Sequence, residues 1–69
     1  MSKEFRFFIY LLERFAQRCG ESAADLYDRL EAAGLVDYAE SMYELYHVEA
    51  IENAFEDLER RLALAEPQT

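Results

Sequence analysis

The chain has 69 residues, 52% of them hydrophobic, and a formal net charge of −8. So many hydrophobic residues exclude an intrinsically disordered chain, and the short length allows a single domain with a small core. We place this domain at residues 1–66 and expect a disordered tail at residues 67–69. The negative charge argues against direct binding to nucleic acid, because a phosphate backbone would be repelled.

The charge is unevenly distributed along the sequence. Residues 1–18 contain four basic and two acidic side chains, a net charge of +2, whereas residues 19–69 contain three basic and thirteen acidic ones, a net charge of −10. An acidic surface of this kind attracts and steers a protein partner with a basic surface. The small core adds a second expectation, a homo-oligomer or a heteromer, because part of the apolar surface needs cover from another chain.

The sequence shows no pattern typical of secretion or of a membrane span. Its most apolar run, FFIYLL, lies between Arg6 on one side and Glu13 and Arg14 on the other, so it is too short to cross a bilayer. The single cysteine, Cys19, cannot form an internal disulfide, and its position favours a small buried hydrophobic side chain. We therefore expect a cytoplasmic protein without membrane contact.

A first helix is predicted at residues 3–18, with Ser2 as its N-cap and Gly20 as its stop. Hydrophobic residues at helical spacing form a core-facing stripe, namely Phe5, Phe8, Ile9, Leu12, Phe15, Ala16 and Cys19. Three further apolar residues, Phe7, Tyr10 and Leu11, lie outside this stripe. They either widen the contact with the core or form a second face that binds a partner.

A second helix is predicted at residues 23–33, because Ser22 is a suitable N-cap and Gly34 a suitable stop. Asp25 stands three residues after Ser22, in the arrangement of a capping box. The buried stripe of this helix consists of Leu26, Tyr27, Leu30 and Ala33. After Gly34 a short apolar connector, Leu35 and Val36, is expected to lie against the core.

The third and fourth helices are predicted at residues 38–46 and 48–65, with a turn near residues 46–48. Asp37 and Glu40 have the spacing of a capping box at the start of the third helix, whose buried side is supplied by Met42, Tyr43, Leu45 and Tyr46. In the fourth helix, hydrophobic residues recur at intervals of three and four, at Val48, Ile51, Phe55, Leu58, Leu62 and Ala65. No segment alternates with a period of two, so the predicted fold is all-α, a compact bundle of four helices.

One pair of residues has the spacing of a metal site. Glu44 and His47 match the Glu-x-x-His pattern of di-iron and di-manganese bundles, in which both side chains lie on the same side of a helix. The turn predicted at His47 would break that helix, and no glycine-rich loop or nucleophile–base arrangement is present. We therefore expect no enzyme, no catalytic residue, no cofactor and no metal, and keep a metal-binding bundle as a remote alternative.

His47 has a simpler interpretation as a residue at a helix boundary. Its ring is expected to pack on Tyr43 and to form a hydrogen bond with a main-chain group or with Glu44. A pH-sensitive contact with a partner is the alternative, since histidine titrates near neutral pH. The acidic run that follows, Glu49, Glu52, Glu56, Asp57 and Glu59, forms either a solvated helix face or a docking surface for a partner rich in arginine and lysine.

Four segments, EFRFFIYLLERFAQ, LYDRLEAAGLVDY, YELYH and EDLERRL, together resemble a family of short bacterial proteins of unknown function, number 3791 among such families. The resemblance covers residues 4–62, and the matching positions are Glu4, Phe5, Glu13, Tyr27, Gly34, Asp37, Tyr38, Tyr43, His47, Asp57 and Leu62. Val48 stands where the family often has a small or hydroxyl residue, which leaves the fourth helix without an obvious cap. The resemblance implies a partner-binding role such as that of an antitoxin, and it supplies no catalytic residue.

The function expected from the sequence is that of a non-enzymatic, acidic, helical interaction protein. It would bind a protein partner with a basic surface and neutralise or scaffold it, as an antitoxin-like component does. The alternative is an inhibitor that mimics nucleic acid and blocks a DNA- or RNA-binding enzyme in phage–host conflict. The residues predicted to contact the partner are Glu49, Glu52, Glu56, Glu59, Phe7, Tyr10, Leu11, Tyr46 and His47.

Overall fold

Five helices make up the computed structural model, which describes residues 1–67. In chain order they are α1 (Lys3–Cys19), α2 (Ala23–Ala32), α3 (Val36–Ser41), α4 (Tyr43–Tyr46) and α5 (Ile51–Ala65). No β-strand occurs in the described part of the chain, so the prediction of an all-α helical bundle is confirmed. Of the predicted tail at 67–69, residues 68–69 lie outside the described residues.

The ends of the first two helices are fixed by local hydrogen bonds, as the sequence predicts. The hydroxyl of Ser2 accepts from the N–H of Phe5 at 3.1 Å, and the hydroxyl of Ser22 accepts from the N–H of Asp25 at 3.0 Å. Each helix is followed by a glycine in the left-handed conformation, Gly20 at φ 71° and Gly34 at φ 72°. Such glycines let the chain reverse direction while the last helical carbonyls keep hydrogen-bond donors.

The core contains the buried side chains of all the long helices. Its members are Phe8, Leu11, Leu12, Phe15, Ala16, Leu26, Leu30, Ala39, Tyr46, Ala54, Phe55, Leu58 and Leu62. Near its centre, the rings of Phe15 on α1 and Phe55 on α5 stack at 5.4 Å between centroids. The buried positions of α2 agree with the prediction, because Leu26 and Leu30 face inward while Tyr27 and Ala33 are partly buried.

The buried face of α1 is rotated from the predicted stripe. Leu11, expected outside the stripe, is only 1% exposed, whereas Phe5 and Ile9, expected in the core, are 41% and 37% exposed. Helix α1 contacts α2, α3 and α4, and the ring of Phe7 meets that of Tyr43 on α4. Because three helices pack against α1, its core contact is broader than a single stripe and includes Leu11.

The third predicted helix is two short helices, and this prediction is wrong in detail. Helix α3 begins at Val36, its N-cap position is Leu35, and no side chain caps it, so the proposed capping box of Asp37 and Glu40 does not form. The chain then breaks at Met42 before α4. The hydroxyl of Ser41 donates to the carbonyl of Tyr38 at 2.7 Å, a local hydrogen bond that competes with continued helical structure.

The last helix starts three residues later than predicted. The turn expected near residues 46–48 is present, since α4 ends at Tyr46, but it extends to Ala50 before α5 begins. Val48, placed in the buried seam by the sequence pattern, therefore lies in the turn and is 70% exposed. Ala65, at the other end of the seam, is exposed too, while Phe55, Leu58 and Leu62 are buried as predicted.

Helix α5 starts without a side-chain cap, which makes its first turn a site for stabilisation. Ala50 has the extended N-cap conformation, at φ −62° and ψ 134°, but offers no hydrogen-bond acceptor. We expect Ala50→Ser to stabilise the fold by about 1 kcal/mol and to raise Tm by roughly 4–8 °C. Thermal unfolding followed by circular dichroism measures this gain. Ser22→Ala, which removes an existing cap, is the matched control and should lower Tm by a similar amount. If Ser22→Ala lowers Tm but Ala50→Ser leaves it unchanged, Ala50 is not the N-cap of α5.

Candidate functional site

A series of four aromatic rings runs along the surface where α1 meets α4. The ring of Phe7 lies 6.3 Å from that of Tyr10 and meets that of Tyr43 edge-on at 5.6 Å. Tyr43 in turn stacks flat on His47, with 4.3 Å between ring centroids and 5° between planes. We call Tyr10, Phe7, Tyr43 and His47 the aromatic ridge. It brings together three of the residues predicted to bind a partner, Phe7, Tyr10 and His47.

The environment of His47 agrees with the expected helix-boundary role. Its Nδ1 lies 2.7 Å from the carbonyl oxygen of Tyr43, and because a carbonyl only accepts, Nδ1 is the donor. Nε2 is then the ring nitrogen that stays available to a partner, since the residue is exposed. Within residues 1–67 no group of three or more His, Cys, Asp or Glu side chains is close enough together to hold a metal ion. Glu44 and His47 thus have no third ligand beside them.

Two cations lie over the aromatic ridge. The ammonium of Lys3 is 5.7 Å from the centroid of the Tyr43 ring, and the guanidinium of Arg14 is 5.5 Å from that of Tyr10. Each is a cation–π contact at a largely exposed position, worth about 0.5–1 kcal/mol. Sequence reasoning missed both cations as parts of the site. The spacing of Lys3, Tyr10 and Arg14 along one face of α1 is the signal that could have found them.

A groove separates the ridge from helix α5. Its α1 wall contains Tyr10 and Arg14, its α5 wall contains Ile51, Glu52 and Phe55, and its volume is about 490 Å³. Glu52 is exposed and has no ion pair with any described residue, and the same holds for Glu56 one turn later. Gln17 and Arg18 also line the α1 wall, so the groove has two arginines and the Tyr10 ring on one side and Glu52 with two apolar side chains on the other.

The other two acids of the predicted docking face have partners inside the chain. Glu49 accepts a hydrogen bond from the side-chain amide of Asn53 at 3.0 Å, which leaves its charge uncompensated. Glu59 is different, because Arg18 donates to both of its carboxylate oxygens at 3.2 Å. Of the four glutamates predicted to bind a partner, Glu49, Glu52 and Glu56 form no ion pair with a described residue, while Glu59 is neutralised across the α1–α5 contact.

A polar cluster joins α3 and α4 to α5 around Asp57. The hydroxyls of Tyr38 and Tyr46 both donate to Oδ2 of Asp57 at 2.6 Å. Arg60 and Arg61 donate to Oδ1, at 2.7 and 3.1 Å, and the guanidinium of Arg61 also lies 4.1 Å from the centroid of the Tyr38 ring. The side chain of Asp57 is only 15% exposed. The expectation that Asp57 belongs to a solvated acidic face is therefore wrong.

The environment of this Asp57 cluster shifts the pKa values of its members in opposite directions. Burial by itself raises the pKa of the Asp57 carboxyl, but hydrogen bonds from Tyr38, Tyr46 and Arg61 outweigh it and hold the pKa below its ordinary value. Burial and the hydrogen bond to Asp57 raise the pKa of the Tyr46 hydroxyl. At neutral pH the carboxylate is thus ionised and both tyrosines are protonated donors, which makes the cluster a fully satisfied link between helices.

Two of the predicted partner-binding residues belong to the interior. Leu11 is 1% exposed and Tyr46 is 4% exposed, so neither can contact a partner unless the core opens. The prediction that they bind a partner is wrong: Leu11 packs in the core of a helix that contacts three others, and the hydroxyl of Tyr46 donates to Asp57. The candidate surface retains Phe7, Tyr10 and His47 on the ridge and Glu49, Glu52 and Glu56 beside it.

These features define a small all-α protein whose exposed surface combines an aromatic ridge with an acidic helix face. Residues 6–63 match the family described as "Protein of unknown function (DUF3791)", and the chain belongs to that family. The resemblance seen in the sequence is thereby confirmed. No curated protein matches the chain, and no solved structure matches it either. Across residues 1–67, no helix combines the length and apolar character that a membrane crossing requires.

Proposed function

We propose that this chain is a non-enzymatic interaction protein that binds a protein partner with a basic surface. The observation that carries the proposal is the charge imbalance left after internal pairing. Of the fifteen acidic residues, four form ion pairs, namely Glu21, Asp57, Glu59 and Glu66. Eleven carboxylates without an ion pair remain, against three unpaired basic side chains in residues 1–67. The negative electrostatic potential of this excess attracts partners with a basic surface.

The α5 acidic face, defined as Glu49, Glu52 and Glu56, supplies the charge at the proposed binding surface. Long-range attraction of this kind mainly speeds the encounter of the two proteins and selects among partners. The aromatic ridge beside it supplies apolar contact area, with Tyr10 still 47% exposed. In this role the chain neutralises or scaffolds its partner, in the manner of an antitoxin-like component.

The proposal is tested by neutralising two carboxylates that form no ion pair with a described residue. The double variant Glu52→Gln/Glu56→Gln changes the net charge from −8 to −6 without removing an ion pair. The wild type is used as bait in an extract of the native host to identify the partner. We expect the double variant to bind this partner about tenfold more weakly than the wild type, because the two carboxylates that it lacks lie at the proposed contact. Titration of the identified, purified partner by calorimetry at two salt concentrations gives the affinities.

A second double variant provides the matched control. Glu13→Gln with Asp28→Asn makes the same change in net charge at exposed positions of α1 and α2, outside the groove. It should bind within about twofold of the wild type, since distant charges are screened over roughly 8 Å at physiological salt. Equal affinity of the wild type and Glu52→Gln/Glu56→Gln at every salt concentration would refute the proposal.

The same preparation distinguishes a protein-scaffolding role from nucleic-acid mimicry. If the partner is itself a nucleic-acid-binding enzyme, excess duplex DNA or RNA is added to the complex. Displacement of the chain by nucleic acid would identify the α5 acidic face as a mimic of the phosphate backbone. A complex that persists in excess nucleic acid at constant ionic strength would indicate a separate docking site on the partner.

A further inference from the structure

The basic side chains without an ion pair are concentrated on one face of one helix. Within residues 1–67 these are Lys3, Arg6 and Arg14, and all three belong to α1. With Tyr10 between them they follow one another at intervals of three, four and four residues, which is the spacing of a single helix face. All four are exposed. We call them the basic face of α1.

This basic face shares one surface with the α5 acidic face. Arg14 and Tyr10 form one wall of the 490 Å³ groove, and Glu52 forms part of the other. Arg18, which also lines the groove, is paired with Glu59, whereas Arg14 and Glu52 line the same groove and neither forms an ion pair with a described residue. A surface that holds opposite charges next to each other is complementary to a copy of itself rotated by a two-fold axis.

We propose that a second copy of this chain docks on the α1–α5 groove about a two-fold axis. The guanidinium of Arg14 in each copy then meets the carboxylate of Glu52 in the other, and the two Tyr10 rings lie near the axis. The inference rests on the proposed function in one respect, because the docking copy covers the same acidic face that the basic partner would use. Self-association and partner binding therefore compete.

Charge selects this arrangement over other pairings of two copies. Each copy carries −8, so any interface that opposes two acidic faces sets carboxylate against carboxylate. An interface that includes the basic face of α1 sets cations without an internal ion pair against those carboxylates. A stable complex buries roughly 800 Å² per partner, which is less than a fifth of the 4553 Å² of surface that this chain exposes.

A charge-swap experiment on the purified full chain tests the dimer. Sedimentation equilibrium is measured for the wild type, Arg14→Glu, Glu52→Arg and the double variant that carries both changes. The wild type should sediment as a dimer, and each single reversal should weaken dimerisation at least about tenfold, since both symmetry-related contacts become repulsive. The double variant restores both contacts with exchanged signs and has the wild-type net charge, so its affinity should return to within about threefold of the wild type.

Asp28→Arg is the matched control, because it changes the net charge as Glu52→Arg does but lies on α2, outside the groove. It should dimerise at least as well as the wild type. Circular dichroism of every variant shows whether the fold is intact, which is expected because Arg14, Asp28 and Glu52 are exposed. A monomeric wild type, a single reversal without effect, or a double variant as weak as the singles would each overturn the inference.

The two proposals fail in different ways. Loss of the partner in Glu52→Gln/Glu56→Gln together with a monomeric wild type would leave the proposed function standing and remove the dimer. If the charge-swap variants change dimerisation as expected but the partner binds Glu52→Gln/Glu56→Gln as tightly as the wild type, the dimer stands and the proposed function is refuted. If both hold, adding the purified partner should convert the dimer into a heteromeric complex in the same sedimentation cell.

Discussion

Leu11→Ala should destabilise the protein by about 2–5 kcal/mol, the range for truncating a buried leucine. The side chain is 1% exposed and belongs to the hydrophobic core. A domain of this length has a total stability of roughly 3–10 kcal/mol, so the loss is a large fraction of the whole. We expect the variant to be partly unfolded at 37 °C. Urea unfolding followed by circular dichroism measures the difference.

Phe5→Ala is the control that makes this experiment decisive. Phe5 belongs to the hydrophobic stripe seen in the sequence, yet it is 41% exposed in the structure. Its truncation should cost clearly less than that of Leu11, about 1–2 kcal/mol, because a large part of the residue stays in water and the space left behind opens to solvent. The sequence pattern predicts the opposite order of effects. If Phe5→Ala lowered the free energy of unfolding more than Leu11→Ala, α1 would be rotated towards the predicted stripe. The aromatic ridge would then not be exposed as the structure has it.

The parts of the fold that depend on neighbouring residues could be predicted from the sequence. Ser2 and Ser22 cap their helices because a serine hydroxyl reaches the N–H three residues on, whatever the rest of the chain does. Gly20 and Gly34 end helices because only glycine takes the left-handed conformation without strain. The stacking of His47 on Tyr43 follows from the i, i+4 spacing on a helical turn.

The errors arise where contacts between helices override local patterns. The spacing of Asp37 and Glu40 predicts a capping box, but the helix begins earlier, at Val36, which packs against the core together with Leu35. The Ser41 hydroxyl donates to the carbonyl of Tyr38 where this helix ends. The periodic seam of α5 was extended to Val48 because valine fits the spacing, although no residue at that point could cap a helix. Periodicity gives the direction of a buried face and not the point where the helix begins.

The candidate surface was only partly accessible to sequence reasoning. The acids Glu52 and Glu56 and the ring of Tyr10 were identified from charge and from their position outside the core stripe. Pairing of Glu59 with Arg18, 41 residues apart, depends on how α1 and α5 cross, which no local pattern encodes. The same is true of Asp57, which looked like one more solvated acid. Contacts between distant segments therefore decide which charges are free for a partner.

Asp57→Ala should be the second strongly destabilising change, with a cost of about 2–4 kcal/mol. It removes the acceptor of two tyrosine and two arginine donors and leaves the hydroxyl of Tyr46, a residue only 4% exposed, without its partner. Hydrogen bonds to a charged group contribute about 1.5–3 kcal/mol, and an orphaned buried donor adds its own desolvation cost. Glu56→Ala is the neighbouring control and should stay within about 0.5 kcal/mol, since Glu56 is exposed and has no ion pair with a described residue. Urea unfolding of both variants measures the two costs.

The pH dependence of stability gives an independent measurement of the same cluster. The folded-state pKa of Asp57 is depressed, and the pKa of Glu66 is depressed as well by its hydrogen bond from Arg29. The unfolded chain therefore binds more protons in acid, so this stabilisation is present above the unfolded value near 4 and is lost as the pH falls through the folded pKa values. Wild-type stability should decline as the pH falls below about 4, and the decline should be shallower in Asp57→Ala because one of the two depressed carboxyls is gone. Parallel curves for the two proteins would show that Asp57 is not held ionised by its tyrosine and arginine donors, and the cluster would then contribute to stability by packing alone.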